Sequence, residues 1–158
     1  MSRSVERVSA AALAAGLSIE ILELTVSTKT AQQAADAISV DVDQIAKSII
    51  FRGEESGKAL LFLTAGGNRV DPVRAAAVAG EALGKADADF IRTETGFAIG
   101  GVSPLGHVNP VRAFMDRRLT EFAEVWAAAG TPKTMFKVPP DALAKATSAV
   151  ISDFTEER

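Results

Sequence analysis

Three groups of residues in this chain of 158 have types and spacings suited to chemistry. The first is the run Gly100-Gly101-Val102-Ser103-Pro104-Leu105-Gly106-His107, inside a segment 96–107 with four glycines and a proline. Glycine lets a backbone approach a ligand closely, so such a loop can aim N–H groups at an ester carbonyl and polarise it. The run lacks the glycine spacing and the following helix of a dinucleotide fingerprint or a P-loop. The plainer alternative is a connection between strands, whose turns use the same residues.

Lys47 is the second. It opens the apolar run Lys47-Ser48-Ile49-Ile50-Phe51-Arg52, and strand alternation places it on one face with Ile49 and Phe51. Turned into a pocket, its ammonium would hold a phosphate or a developing negative charge; at a strand end it would only snorkel to water. The third is Ser103 with His107 and Asp116. The serine and histidine lie four apart in a proline-interrupted loop, without the strand–turn–helix setting of a nucleophile elbow, which argues against a triad. Glu54-Glu55 and Glu156-Glu157 read as solvated pairs. Arg112, Arg117 and Arg118, with Lys133, Lys137, Arg69 and Arg74, form a basic set suited to a few phosphates at most.

The elements that must position these groups follow from local signals. A first amphipathic helix is expected over 5–15, capped by Ser4 and stopped by Gly16. Ile19–Leu24 reads as a strand, Thr30 with Gln33 starts a helix through Ile38, and Asp41 with Gln44 starts a helical turn. Residues 47–64 read as a β-hairpin around the polar turn 53–58. Asp71-Pro72 opens a helix that Gly80 closes. Further strands are expected at 89–92, 111–116, 124–128 and 134–138, and a last helix from Pro139-Pro140-Asp141 through Thr147. Strands and helices mix without βαβ alternation, which predicts one α+β domain over 1–158 with a mixed sheet.

Composition narrows the chemistry. There is no cysteine and one histidine, so thiolate nucleophiles, Cys-based metal sites and multi-His cages are excluded. A net charge of −3 disfavours a broad grip on duplex DNA and limits any nucleic acid to a local contact, such as an RNA end. No apolar stretch approaches the roughly 20 residues of a membrane span, and Glu6 and Ser9 interrupt the only segment resembling a signal peptide. A cytoplasmic location is expected.

The segments ThrAlaGlnGlnAlaAlaAspAlaIle at 30–38, GlnIleAlaLysSerIleIlePhe at 44–51 and GlyGlyValSerProLeuGlyHis at 100–107 occur in this order. With AlaGlyThrPro at 129–132 leading to ProAspAlaLeu at 140–143, they resemble the YbaK/ProX family, freestanding relatives of the prolyl-tRNA synthetase editing domain. The resemblance runs from about residue 20 to the last helix. It implies a mixed, partly closed, barrel-like sheet surrounded by short helices. The implied activity is trans-editing, the hydrolysis of the ester joining a wrong amino acid to a tRNA 3′ end. It also implies that no metal, cofactor or protein nucleophile is needed, because a ribose hydroxyl of the substrate helps activate water.

By the same resemblance Lys47 and Gly101 are the catalytic candidates. Ser48, Gly100, Val102, Ser103, Pro104, Gly106 and His107 are the substrate-binding ones. The partners would be a mischarged tRNA and an aminoacyl-tRNA synthetase. The chain has no tyrosine and no second histidine, unlike the cysteinyl- and alanyl-specific branches of that family. The amino acid removed stays open among alanine, serine and a non-protein analogue. Two other readings share these residues: a module that binds an aminoacyl-tRNA or nucleotide 3′ end without hydrolysis, and a small-molecule esterase using Ser103.

Overall fold

The computed structural model describes residues 2–158. Helix α1 (Arg3–Ala14) buries Val5, Val8 and Ala12, a stripe at helical spacing. Its cap is Ser2, which accepts a hydrogen bond from Val5 N at 3.2 Å, so the expected cap at Ser4 lies inside the helix. Gly16 then leaves the helix with φ +77°. Strand β1 (Ile21–Glu23) and helix α2 (Ala31–Ile38) follow, and the Thr30 hydroxyl caps α2. A capping box between Asp41 and Gln44 closes a single 3₁₀ turn over Val42–Gln44.

The hairpin β2 (Ala46–Gly53) and β3 (Ala59–Ala65) is antiparallel in unbroken register, with Lys47 opposite Thr64. Helix α3 (Pro72–Ala79) runs from its Asp71 cap to left-handed Gly80. Strand β4 (Leu83–Lys85), which local signals do not reveal, pairs with the far end of β2. The strand expected at 89–92 is instead part of helix α4 (Ala88–Thr95). Asp87 accepts from Phe90 N at 2.8 Å and Gly96 ends the helix at φ +82°, so cap and stop outweigh a short apolar pattern.

Strands β5 (Arg112–Asp116), β6 (Val125–Ala128) and β7 (Thr134–Val138) and helix α5 (Pro140–Thr147) lie close to their expected places. A final strand β8 (Val150–Ser152) was not anticipated. The five-stranded sheet has order β4-β2-β3-β5-β8, antiparallel on the β2 side and parallel at β3–β5 and β5–β8. The second sheet, β1-β7-β6, is antiparallel. A single parallel bridge, Ile45 to Trp126, joins the two. The α+β fold therefore has a mixed sheet that begins to close on itself and stops short of a barrel.

Every residue of β3 is buried, because both faces of this central strand are covered. Leu61 and Leu63 join the main core, whereas Leu60 and Phe62 face α3 with Phe114 and Phe154. Burying each such side chain stabilises the fold by about 1.5–3 kcal/mol. This rigid strand is the floor on which β2, and with it Lys47, is held. Among the described residues no helix is long and apolar enough to cross a membrane.

Candidate active site

Incomplete closure creates the principal cavity, of about 680 Å³. Past the Ile45–Trp126 bridge the β2–β6 ladder does not continue, and the space is lined by Ala46–Ile50 of β2 and Ala128 of β6. β4 covers β2 only from Phe51 to Gly53. Gly53 N–H donates across the hairpin to Lys58, and Glu54 N–H donates to Ala82 on the opposite edge, each at 2.9 Å. The alternation then turns the backbone groups of Ser48 and Ile50 toward the uncovered edge, along the cavity. The Ser48 hydroxyl is buried there without a hydrogen-bond partner. Ile45, Ile49, Ile50, Ile91 and Met135 make most of the remaining wall apolar.

Lys47 lines the cavity and donates from Nζ to the Asn68 carbonyl at 2.6 Å. Burial pushes its pKa down, and Arg69 adds to the fall, while Asp116 and Asp43 oppose it. A cation held in partial desolvation interacts strongly with any anion entering beside it.

The glycine-rich segment forms the facing rim. Its two ends are bolted to α1, where Arg7 donates to the carbonyls of Gly96 at 2.8 Å and Gly106 at 3.1 Å. Gly100 and Val102 line the cavity with Lys47 and Ser48, so four of the residues selected by sequence share one wall system. Gly101 does not line it. Its N–H is engaged by the Ala98 carbonyl at 3.0 Å, and an added Cβ would stand 2.8 Å from Thr131 Cα. Gly101 is thus glycine because the β6–β7 turn lies against it. The amides of Gly100 and Val102 donate to no backbone carbonyl. Gly101 forms the turn between them.

Ser103, Pro104, Gly106 and His107 are not brought to this cavity. Ser103 is fully buried, and its hydroxyl accepts from Leu105 N at 3.3 Å. His107 Nε2 lies 2.6 Å from the Ser103 carbonyl, not its hydroxyl. Burial pushes the imidazole pKa down and Arg7 adds to this, against the Ser103 bond. Pro104, Gly106 and His107 line a separate hollow beside α1 and α5. Asp116 is engaged elsewhere by Ala65 N and Asn68 Nδ2, so no triad assembles.

The basic set is largely neutralised by its neighbours. Arg112 pairs with Glu81 at 3.7 Å, Arg117 with Asp153 at 3.1 Å, and Lys137 with Glu124 at 3.6 Å. Arg118 donates to Asp43 at 2.9 Å, and Arg158 reaches the same carboxylate at 2.7 Å. Burial raises the Asp43 pKa, but the bonds from Arg158, Arg118 and Gly67 N together leave it below its ordinary value. The ionised network therefore stabilises the fold above the usual carboxylate range, and this contribution is lost as pH falls through the folded value. Asp43→Asn is expected to lower the melting temperature at pH 7 and to shrink the gap between wild type and variant below about pH 4. An equal gap at pH 7 and pH 3 in thermal unfolding would rule this linkage out.

Sequence reasoning did not single out Asp43, Asn68 or Arg158. The helix-start signal nearby belongs to Asp41, and nothing local points from residue 68 to 158.

A model of the aminoacyl-tRNA editing domain matches residues 25–146. The uncharacterized protein YwhH of Bacillus subtilis (strain 168) is 29% identical over 126 residues, 80% of each chain. One solved structure, provisionally designated a trans-editing enzyme for prolyl tRNA synthetase, has TM-score 0.92 and 42% identity over 99% of both chains. The hypothetical protein APE2540 has TM-score 0.87 and 26% identity, covering 95% of this chain and 99% of its own. The matched span contains strands β2 to β7, Lys47 and the facing loop, and by this match over most of its length the chain belongs to the aminoacyl-tRNA editing domain family.

Proposed function

We propose that this protein is a trans-editing deacylase that hydrolyses the ester of a mischarged tRNA. The observation that carries this reading is that Lys47, Gly100 and Val102 line one largely apolar cavity, and that the amides of Gly100 and Val102 donate to no backbone carbonyl among the described residues. The aminoacyl group enters between β2 and the loop. The Gly100 and Val102 N–H groups orient the ester carbonyl and stabilise the oxyanion as water adds to its carbon. The carbon–oxygen bond to the ribose then breaks, releasing the amino acid and leaving the hydroxyl on the tRNA. Water is activated by the neighbouring ribose hydroxyl, so positioning supplies most of the rate.

Lys47 anchors or neutralises the terminal nucleotide, and Ser48 offers its hydroxyl and backbone to the bound group. Gly101, Ser103, Pro104, Gly106 and His107 hold the loop in shape. The apolar wall suits a small uncharged side chain, and size selection by such a wall is about 10–200-fold per methylene. The likeness to the chain designated for prolyl tRNA synthetase supports tRNA mischarged by that synthetase as the substrate source.

Deacylation of a panel of mischarged tRNAs tests this, with alanyl, seryl and non-protein aminoacyl esters on tRNA for proline. Turnover well above spontaneous hydrolysis for at least one small amino acid is expected. Tight binding without acceleration for every member would make the protein a 3′-end binding module instead. Ser103→Ala should keep deacylation within about threefold, whereas loss of a true nucleophile costs on the order of 10³-fold or more. Collapse of turnover in that variant, with the fold intact, would restore the esterase reading.

A further inference from the structure

Two carboxylates take no part in the step above, although they are buried at 2% and 4% exposure, Asp43 and Asp116. Both grip the turn Ala65-Gly66-Gly67-Asn68 that follows β3. Asp43 Oδ1 accepts from Gly67 N at 2.8 Å, and Asp116 Oδ2 accepts from Ala65 N at 3.0 Å. The Asn68 side chain is held at both ends. Its Nδ2 donates to Asp116 at 2.9 Å, and its Oδ1 accepts from Arg158 Nε at 2.6 Å. Arg158 is itself tied to Asp43 by Nη2 at 2.7 Å.

The glycines allow this fit. A Cβ on Gly66 would stand 2.1 Å from the Val42 carbonyl oxygen, and one on Gly67 would stand 2.5 Å from Asp43 Oδ1. Both glycines line the cavity. The product of all these bonds is a fixed location for one acceptor, the Asn68 carbonyl that receives the Lys47 ammonium.

We propose that Asn68, clamped by Asp116 and by Arg158 on Asp43, is the positioning residue that sets where the Lys47 ammonium stands in the cavity. A lysine has four rotatable side-chain bonds, and an opening of this size leaves many of its rotamers available. A carbonyl fixed on a pinned turn selects one of them. The cost of choosing that rotamer is then met during folding and not during substrate binding. The network reaches Lys47 without touching the substrate, so its loss should act on deacylation only through Lys47.

This inference rests on the role given to Lys47 above, and a double-mutant cycle separates the two. Asn68→Ala is expected to lower kcat/KM about 10-fold, as misplacement of a positioned group does. Arg158→Gln, at the exposed end of the clamp, should lower it about threefold and keeps the test open if Asn68→Ala folds poorly. In a Lys47→Ala background neither change should lower kcat/KM further, because the group they position is gone.

The lysine ¹³Cε resonance that vanishes in Lys47→Ala supplies a readout independent of turnover. In Asn68→Ala its pH midpoint should move up toward that of an ordinary lysine; Arg158→Gln is not used for this readout, because loss of the Arg158 charge by itself raises the midpoint. Full additivity with Lys47→Ala, or an unmoved Lys47 resonance, overturns the positioning role. Full deacylation by Lys47→Ala alone overturns the earlier assignment of Lys47, and the catalytic meaning of the clamp with it.

Discussion

Lys47→Ala is expected to lower kcat/KM for deacylation about 100-fold, while the melting temperature holds or rises. The first half follows from the cavity. The ammonium is the one cation among its lining residues that is both partly desolvated and fixed, at 2.6 Å from the Asn68 carbonyl. Removing one such electrostatic partner from a preorganised site costs about 10²–10³-fold.

The second half follows from the direction of its pKa. Burial, with Arg69, makes the charged form less favourable in the folded protein than in the unfolded chain. Below the folded pKa that cost is present in full, and it is relieved as pH rises toward the ordinary lysine value. Replacing the side chain removes the cost at neutral pH, as is common where stability is given up for activity. Parallel deacylation and thermal unfolding measurements decide the matter. A variant that keeps its activity but melts several degrees lower would make Lys47 a structural residue. Lys47→Arg should not rescue, because a planar fork cannot reproduce a single ammonium contact with the Asn68 carbonyl.

Gly101→Ala is expected to reduce deacylation about 100-fold by a different route. The added methyl would meet Thr131 Cα at 2.8 Å, Gly130 O at 3.0 Å and Gly130 C at 3.1 Å, all of them backbone atoms. That turn cannot retreat, since Gly130 already lies against α1, where its own Cβ would stand 2.9 Å from the Ser4 carbonyl carbon. The loop must move instead, carrying the Gly100 and Val102 amides away from the place proposed for the ester carbonyl.

Overpacking of this kind costs about 2 kcal/mol, which lowers the melting temperature by about 4–8 °C in a chain of this size. Gly100→Ala is the control. Its nearest neighbour would be Pro132 Cγ at 3.6 Å, an ordinary contact, so only the left-handed φ of +91° opposes it. It should lose stability without displacing Val102. Equal activity of wild type and Gly101→Ala would mean that the loop amides do not orient the ester.

Signals that act within a few residues were legible in the sequence. Thr30, Asp41 and Asp71 cap where expected, and Gly16 and Gly80 take left-handed conformations at helix ends. The hairpin 46–65 announced itself by its apolar strands and polar turn. Segment 96–107 announced itself as irregular by its glycines and proline. The two short strands β4 and β8 escaped because three residues carry no period. Segment 89–92 is helical and not a strand because the apolar pair Phe90-Ile91 cannot compete with a cap at Asp87 and a stop at Gly96.

The sequence by itself also determined which chemistry is absent, since residue types do not depend on folding. Without thiol or a second histidine, a thiolate nucleophile, a Cys-based metal site and a multi-His cage are ruled out. What only the tertiary structure decided is which of the candidate residues share a cavity. The sheet fails to close beyond Ile45 and Trp126, and that failure opens the cavity between two strands far apart in the chain. The β6–β7 turn lies against Gly101 and Ala98 accepts its N–H, while the amides of Gly100 and Val102 donate to no backbone carbonyl among the described residues. Arg158 meets Asp43 across 115 residues, a contact no local pattern encodes. Caps and periodicities are set by neighbours along the chain. A cavity and a clamped lysine are set by neighbours across it, which exist only once the core has brought them together.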